Sequence, residues 1–254
     1  HSGFALSGDG FTVIMDYYRD SEDGQAQADL NRLMDGTFSN QEAGMPEGTV
    51  HSELLRRLGK LYVLASHFHP DHFNKEVLQW REQRPDIIYI FSKDILRHRR
   101  AQKEDAVWLK KGEEYKDETL SVRAFGSTDV GVSFLLQASG KKIFHAGDLN
   151  NWHWMDESTE AEWKGAEKNF LHELDDLYAY TPEVDVAMFP VDPRLGKEYM
   201  RGAGQFVTKI KTHIFVPMHF TPEYAKANAF RDFAEAHGVR FVSLTHRGQK
   251  IEIE

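Results

Sequence analysis

Six consecutive residues, His67-Phe68-His69-Pro70-Asp71-His72, contain four side chains of metal-ligand type. Neutral imidazole is the commonest biological metal ligand, and carboxylates complete such shells. The apolar run Leu61–Ala65 leads straight into the cluster. The chain therefore reads as a strand that ends by directing several imidazoles and a carboxylate into one small volume at a sheet edge. The same grammar recurs twice. His145-Ala146-Gly147-Asp148 follows the short strand Lys142–Phe144, and His219 follows the run Ile214–Pro217 through Met218. Three strand ends, each delivering a ligand-type side chain, suggest one active-site edge.

Composition narrows the chemistry. The chain has no cysteine, so disulfides and thiolate ligands are excluded and any metal takes nitrogen and oxygen donors. Its 254 residues, 41% hydrophobic and 28% charged, are globular in character and enough for one sizeable core, which predicts a single domain over 1–254. A net charge of −9 gives a nucleic-acid partner no support. The one local basic cluster, Arg97-His98-Arg99-Arg100, reads as a solvated helix end. No apolar stretch approaches the roughly 20 residues that span a bilayer, and no signal peptide is visible. A cytoplasmic enzyme without membrane attachment is expected.

The elements that must position these residues can be read in outline. Phe11–Met15 is a short strand ending at Asp16, and residues 20–50 read as a long loop or lid. Leu61–Ala65 and Ile87–Phe91 are buried-type strands flanking a helix around Lys75–Gln83. A β-rich middle follows: Val107–Leu109, Leu120–Phe125, Val132–Ala138 and Lys142–Phe144. Ser158–Tyr180 is a long helix with a capping box at Thr159 and Glu162. Val184–Phe189 and Ile214–Pro217 are strands. Thr221-Pro222-Glu223 opens a helix that Gly238 closes, and Phe241–Leu244 and Ile251–Ile253 finish the chain as strands.

The order H-x-H-x-D-H, then strand–Gly-Asp, then strand–His resembles the metallo-β-lactamase superfamily over nearly the whole chain. His145-Ala146-Gly147-Asp148 and the opening His1-Ser2-Gly3-Phe4 resemble the branch containing ascorbate-6-phosphate lactonase. The resemblance implies an α/β (α+β) four-layer αββα sandwich with metal ions at one edge of two packed sheets. It implies a first metal site at His67 and His69, a second at Asp71, His72 and His219, and Asp148 bridging both. One element departs from the pattern. The loop expected to supply another histidine is Phe125-Gly126-Ser127-Thr128-Asp129-Val130-Gly131, which has none. Two readings stay open: Asp129 substitutes as an oxygen ligand, or the first site is weak or empty and one ion does the work. Cofactors are accordingly one or two divalent ions, zinc or manganese first, with iron or magnesium as further options.

Around the metals, Asp16 is a candidate for orienting a ligand imidazole. His1, Arg19, His145, Trp152 and His153 are candidate substrate contacts, Arg19 for a phosphate or carboxylate and Trp152 as a pocket wall. His51, His98, His172, His213, His237 and His246 lie outside the motifs and read as ordinary surface or core histidines. The expected activity is metal-dependent hydrolysis of a small anionic ester, lactone or phosphoester. A metal-activated hydroxide held at Asp71 and Asp148 would attack, and no protein nucleophile would be needed. Two alternatives are a phosphodiesterase or nuclease of the same superfamily and a catalytically silent binding or regulatory protein that keeps the fold. A di-iron redox enzyme fits less well, because that branch resembles H-x-E-x-D and position 69 here is His. The small-molecule substrate's identity and the oligomeric state are not encoded in any motif.

Overall fold

The structure, a computed structural model, describes residues 1–18, 48–220 and 222–253. Arg19 and most of the expected 20–50 loop therefore lie outside the described residues. Among those described, the first sheet has five strands: β1 (Phe4–Gly8), β2 (Phe11–Met15), β3 (Lys60–Ala65), β4 (Ile88–Ser92) and β5 (Val107–Leu109), in that order. The second has seven: β6 (Glu114–Lys116), β7 (Leu120–Phe125), β8 (Ser133–Ala138), β9 (Lys141–His145), β10 (Glu183–Pro190), β11 (Lys211–Met218) and β12 (Arg240–Phe241), stacked in reverse order from β12 to β6.

Side-chain alternation assigns each face of the first sheet. On β3, Tyr62 and Leu64 face the core shared with the second sheet, whereas Leu61, Val63 and Ala65 face outward. The outward side is covered by α1 (Ser52–Leu55), α2 (Glu76–Gln79), which continues as a 3₁₀ turn through Trp80, and α3 (Lys93–Arg97). The second sheet is covered by α4 (Glu160–Tyr180), through Phe170, Leu174 and Leu177, and by α5 (Arg201–Lys209), through Phe206. Helix, sheet, sheet and helix thus form the expected αββα sandwich. A strand buried on both faces reads as a continuous apolar run, which is why β3 and β4 stand out in the sequence.

Several elements differ from expectation. The helix expected from Thr221 to Gly238 is two short ones, α6 (Tyr224–Asn228) and α7 (Arg231–Ala236). The bend between them swings Phe230 into the core, 5.0 Å from the ring of Phe215. The expected strand 241–244 contracts to β12, and 251–253 pairs with nothing as a strand; Ile251 and Ile253 pack against the core instead. The edge strands β1 and β6 carry exposed, polar positions, as edge strands do, and for that reason give little signal.

Two tight approaches fix the metal-motif loop. Val132 N–H donates to Ser66 O at 3.0 Å, and Gly131 (φ +76°) crosses so closely that a Cβ there would lie 2.1 Å from Ser66 O. Gly147 (φ +54°) passes the Ser66 side chain in the same way, with a Cβ meeting Ser66 Cβ at 2.9 Å. No described helix is long and apolar enough to cross a membrane. Gly131→Ala adds a clash to a left-handed backbone that costs an L-residue roughly 1–2 kcal/mol. We expect denaturant unfolding to show at least that loss, together with reduced metal retention; wild-type behaviour in both would count against this packing.

Candidate metal centre

The strand directions gather the site. β2, β3 and β4 run parallel, as do β9, β10 and β11, so their C-terminal ends share one edge of the sandwich. Asp16 follows β2, His67–His72 follow β3, Asp148 follows β9, Asp192 follows β10 and His219 follows β11. β1 runs antiparallel to β2, pairing Phe4 with Met15, which brings His1 to the same edge. His219 N–H donates to His1 O at 3.2 Å. Asp16 (φ +45°) and His219 (φ +65°) are non-glycine residues held in the left-handed region, a sign that the surrounding contacts dictate their geometry.

Two donor groups form there, each with ligand atoms within 4.8 Å of one another: His67, His69 and Asp148, and His1, Asp71, His72 and His219. Asp148 stands between them. Its carboxylate lies 3.2 Å from His67 Nε2, 3.0 Å from His72 Nε2 and 3.2 Å from His219 Nε2. These pairs are close but not aligned as hydrogen bonds: His67 Nε2, His72 Nε2 and Asp148 Oδ1 are buried with no hydrogen-bond partner. A buried unpaired polar atom costs about 1–3 kcal/mol, so three at one point call for a shared partner. Donors around an ion with bonds of about 2.0–2.2 Å sit roughly 2.8–3.6 Å apart, from octahedral to tetrahedral geometry, a range that contains the 3.0–3.2 Å spacing here. The donor set fits a divalent cation.

Each imidazole is oriented from behind. Ser66 Oγ donates to Asp16 Oδ2 at 2.6 Å, leaving its oxygen to accept from His67 Nδ1 at 2.9 Å. His72 Nδ1 donates to the same carboxylate at 2.7 Å, and His219 Nδ1 donates to Asp192 Oδ2 at 2.8 Å. These partners keep a hydrogen on Nδ1 in all three histidines, so Nε2 is the nitrogen that gives up its proton when a cation is held beside Asp148.

The electrostatics follow. Burial works against ionisation of Asp148, yet His219, His67 and His72 hold its carboxyl far below the ordinary carboxylate range. Burial likewise opposes ionisation of Asp16, which neighbouring histidines, His72 hydrogen-bonded among them, keep below its usual value. Asp192 is lowered to about 2: burial resists, and the His219 and Arg194 contacts prevail. In the metal-free protein burial disfavours charge on His72, but Asp148 and Asp16 push its pKa up to about 10.

The sequence candidates are distributed unevenly. His1 joins a donor group, its Nε2 3.4 Å from Asp71 and its ring 4.3 Å from that of His219. Trp152 donates to Asp148 O at 2.8 Å and sets its ring 5.4 Å from His219, on the flank of the site. Asp129 is exposed, 3.7 Å from His69 Nδ1, and outside both donor groups. Two expected substrate contacts are corrected. His145 is fully buried, accepting from Gly147 N–H at Nδ1 and donating from Nε2 to Ser2 O. His153 is buried too, with Met155 N–H on Nδ1 and Glu198 O on Nε2. Neither ring keeps a nitrogen for a substrate. Asp192 and Ser66 were missed; Asp192 follows a strand end just as Asp148 and His219 do, and that signal was available.

The chain matches the family model described as the Beta-lactamase superfamily domain over residues 1–219, and it belongs to that superfamily. The fold is shared with Igni18, a metallo hydrolase from Ignicoccus hospitalis, at 16% identity and a TM-score of 0.62, covering 99% of this chain and 94% of that one. YhfI from Bacillus subtilis, a metallo-β-lactamase fold protein, is similar at 11% identity and TM-score 0.56, covering 98% and 89%. CmlA, a diiron β-hydroxylase from Streptomyces venezuelae, is similar at 13% and 0.56, covering 97% of this chain and 52% of its own. No curated protein matches.

Two measurements probe the centre. Asp192→Asn should lower metal affinity about 10–100-fold, whereas Asp129→Ala should stay within about threefold of wild type in the same chelator competition. The pH dependence has a defined sign. Protonated His72 stabilises the metal-free fold fully below its ordinary pKa of 6.5, and that contribution is lost as pH rises towards 10. The metal-free protein should therefore melt at progressively lower temperature across that window, while metal affinity rises as protons leave the ligands. A flat melting temperature would contradict it.

Proposed function

We propose that the protein is a metal-dependent hydrolase of a small anionic ester, lactone or phosphoester, the substrate range nearest the ascorbate-6-phosphate lactonase branch. The observation that carries this reading is the convergence of three Nε2 atoms, each ring anchored through Nδ1, on the buried carboxylate of Asp148. His67, His69 and Asp148 would hold one ion, and His1, Asp71, His72 and His219 a second, with Asp148 facing both. Bound divalent ions supply Lewis acidity and bring the pKa of water towards neutrality. Zinc or manganese suits donors that are mainly imidazole with a few carboxylates.

The chain's own residues divide the remaining tasks. Asp71, partly exposed and 3.8 Å from His72 Nε2, stands where it can orient an attacking water and take up its proton. Asp148, lacking exposure and hydrogen-bond partners on Oδ1, keeps the two donor groups in fixed relation. Trp152 walls the His219 side against solvent. A small-molecule substrate, no nucleic-acid partner and a cytoplasmic setting belong to the same proposal, in keeping with the net charge of −9.

One observation favours a phosphodiester as the second reading. His98, in the exposed basic turn with Arg97 and Arg99, stacks at 3.7 Å on Phe68, between two metal-motif histidines. The test is a panel of phosphomonoester, phosphodiester, lactone and thioester substrates with manganese and with zinc. We expect turnover of a small phosphoester or lactone, and a loss of at least about a hundredfold in Asp148→Asn. A metal-loaded wild type inert towards the whole panel would favour the silent binding protein, and preference for oligonucleotides the nuclease.

A further inference from the structure

We propose that Arg194 is an anion-binding residue of this centre, its outer guanidinium edge receiving an oxyanion group of the substrate, phosphate or carboxylate, on the His219 side. The inference rests on the hydrolase reading and deepens it by naming what the substrate must carry.

Arg194 is the second residue of the 3₁₀ segment Pro193–Glu198 that follows β10, with Asp192 as its N-cap. One edge of its guanidinium is docked on the buried Asp192: Nε lies 3.0 and 2.9 Å from the two carboxylate oxygens and Nη2 2.5 Å from Oδ2, and the Arg194 backbone N–H adds a 3.0 Å bond. A fork engaged on two oxygens fixes the plane of the whole group. Nη2 also lies 3.3 Å from His219 Nδ1, on the ring whose other nitrogen is 3.2 Å from Asp148. The His219 hydrogen is committed to Asp192, so this is proximity rather than a further bond.

The other edge is idle. Nη1 makes no hydrogen bond among the described residues, and the side chain is 64% exposed although Asp192 beneath it is only 1% exposed. Arg84 shows what a structural arginine looks like in the same protein. It is 10% exposed, and its three nitrogens bond to Leu55 O, Arg57 O, Gly59 O and the Asp86 carboxylate. Arg194 instead is held rigid on one side and presented on the other. Side-chain entropy has already been lost to Asp192, so an incoming anion meets a preorganised donor. Trp152 reaches the same His219 ring from its own side, giving the cationic edge an apolar neighbour. The exposed guanidinium also feels the charges of Asp148 and Asp71, in keeping with its place beside the His219 ring.

The competing role is purely internal, with Arg194 steadying Asp192 and through it His219. Titrating inorganic phosphate calorimetrically into manganese-loaded wild type and Arg194→Gln, with bound metal measured on the same samples, separates the two. We expect unchanged metal content, because Asp192 keeps its 2.8 Å bond from His219 Nδ1, and phosphate binding weakened about tenfold or more, since a bond to a charged group is worth about 1.5–3 kcal/mol. A weakening of less than about fivefold overturns the inference. So does a parallel loss of metal, because the guanidinium would then act through Asp192. Where Arg194→Gln fails to fold, Arg194→Lys, which keeps the charge and loses the fork, is read by the same threshold. If the wild type takes up no metal, the hydrolase reading fails separately. Arg194 is then judged on phosphate binding to the metal-free proteins by the same criterion.

Discussion

Three imidazole Nε2 atoms lie within 3.2 Å of one buried carboxylate, two of them and one carboxylate oxygen without a hydrogen-bond partner, and the rest of the structure is arranged to keep them there. Left alone, such a group would rotate its rings towards better partners. It does not, because each Nδ1 is anchored: His67 through Ser66, His72 on Asp16 and His219 on Asp192. The anchors in turn sit on strand ends whose positions are set by two sheets of continuous apolar packing. Gly131 and Gly147 let the backbone close over Ser66 and His67 where any side chain would force them apart. Stability in the core is thereby converted into precision at the edge.

The charge pattern is layered outward from the same point. Asp148 is innermost, Asp16 and Asp192 lie behind the histidines, and all three stay ionised in surroundings that disfavour charge. Buried anions persist only with partners that offset their desolvation. Behind His219 the offset at Asp192 comes first from the His219 Nδ1–H itself and then from Arg194, and behind His72 and His67 it comes from the serine and histidine donors. Asp148 has no donor of its own aligned to it, which makes it the position where a cation is most strongly required.

Much of this was legible in the sequence for a physical reason. The candidate donors His67, His69, Asp71 and His72 fall within six residues, and β3, β9 and β11 are buried runs that announce where a strand stops, so the motifs and their strand-end placement follow from local pattern. The parts that were not legible depend on relations between distant segments. His1 reaches the centre only because β1 folds back antiparallel on β2, and β1, exposed at alternate positions, barely reads as a strand. Arg201–Lys209 folds as α5 in spite of two glycines that weaken its helical signal, because Phe206 is fully buried against β9 and β10. His145 and His153 look like site residues by sequence position, but a sequence does not say which ring nitrogens the backbone has already claimed.

The two donor groups are unequal, and the inequality has a direction. His1, Asp71, His72 and His219 offer four ligands, with His72 and His219 almost wholly buried. The His67 and His69 half has only Asp148 to complete it; the His69 side chain is 36% exposed, and Asp129 stands further out. Fewer protein ligands and more solvent leave coordination positions open, which is the condition that distinguishes a catalytic site from a structural one. With ions bound, the four-donor half would suit retention and the three-donor half would leave room for a substrate oxygen. Arg194, on the His219 side, then lies across Asp148 from the open half.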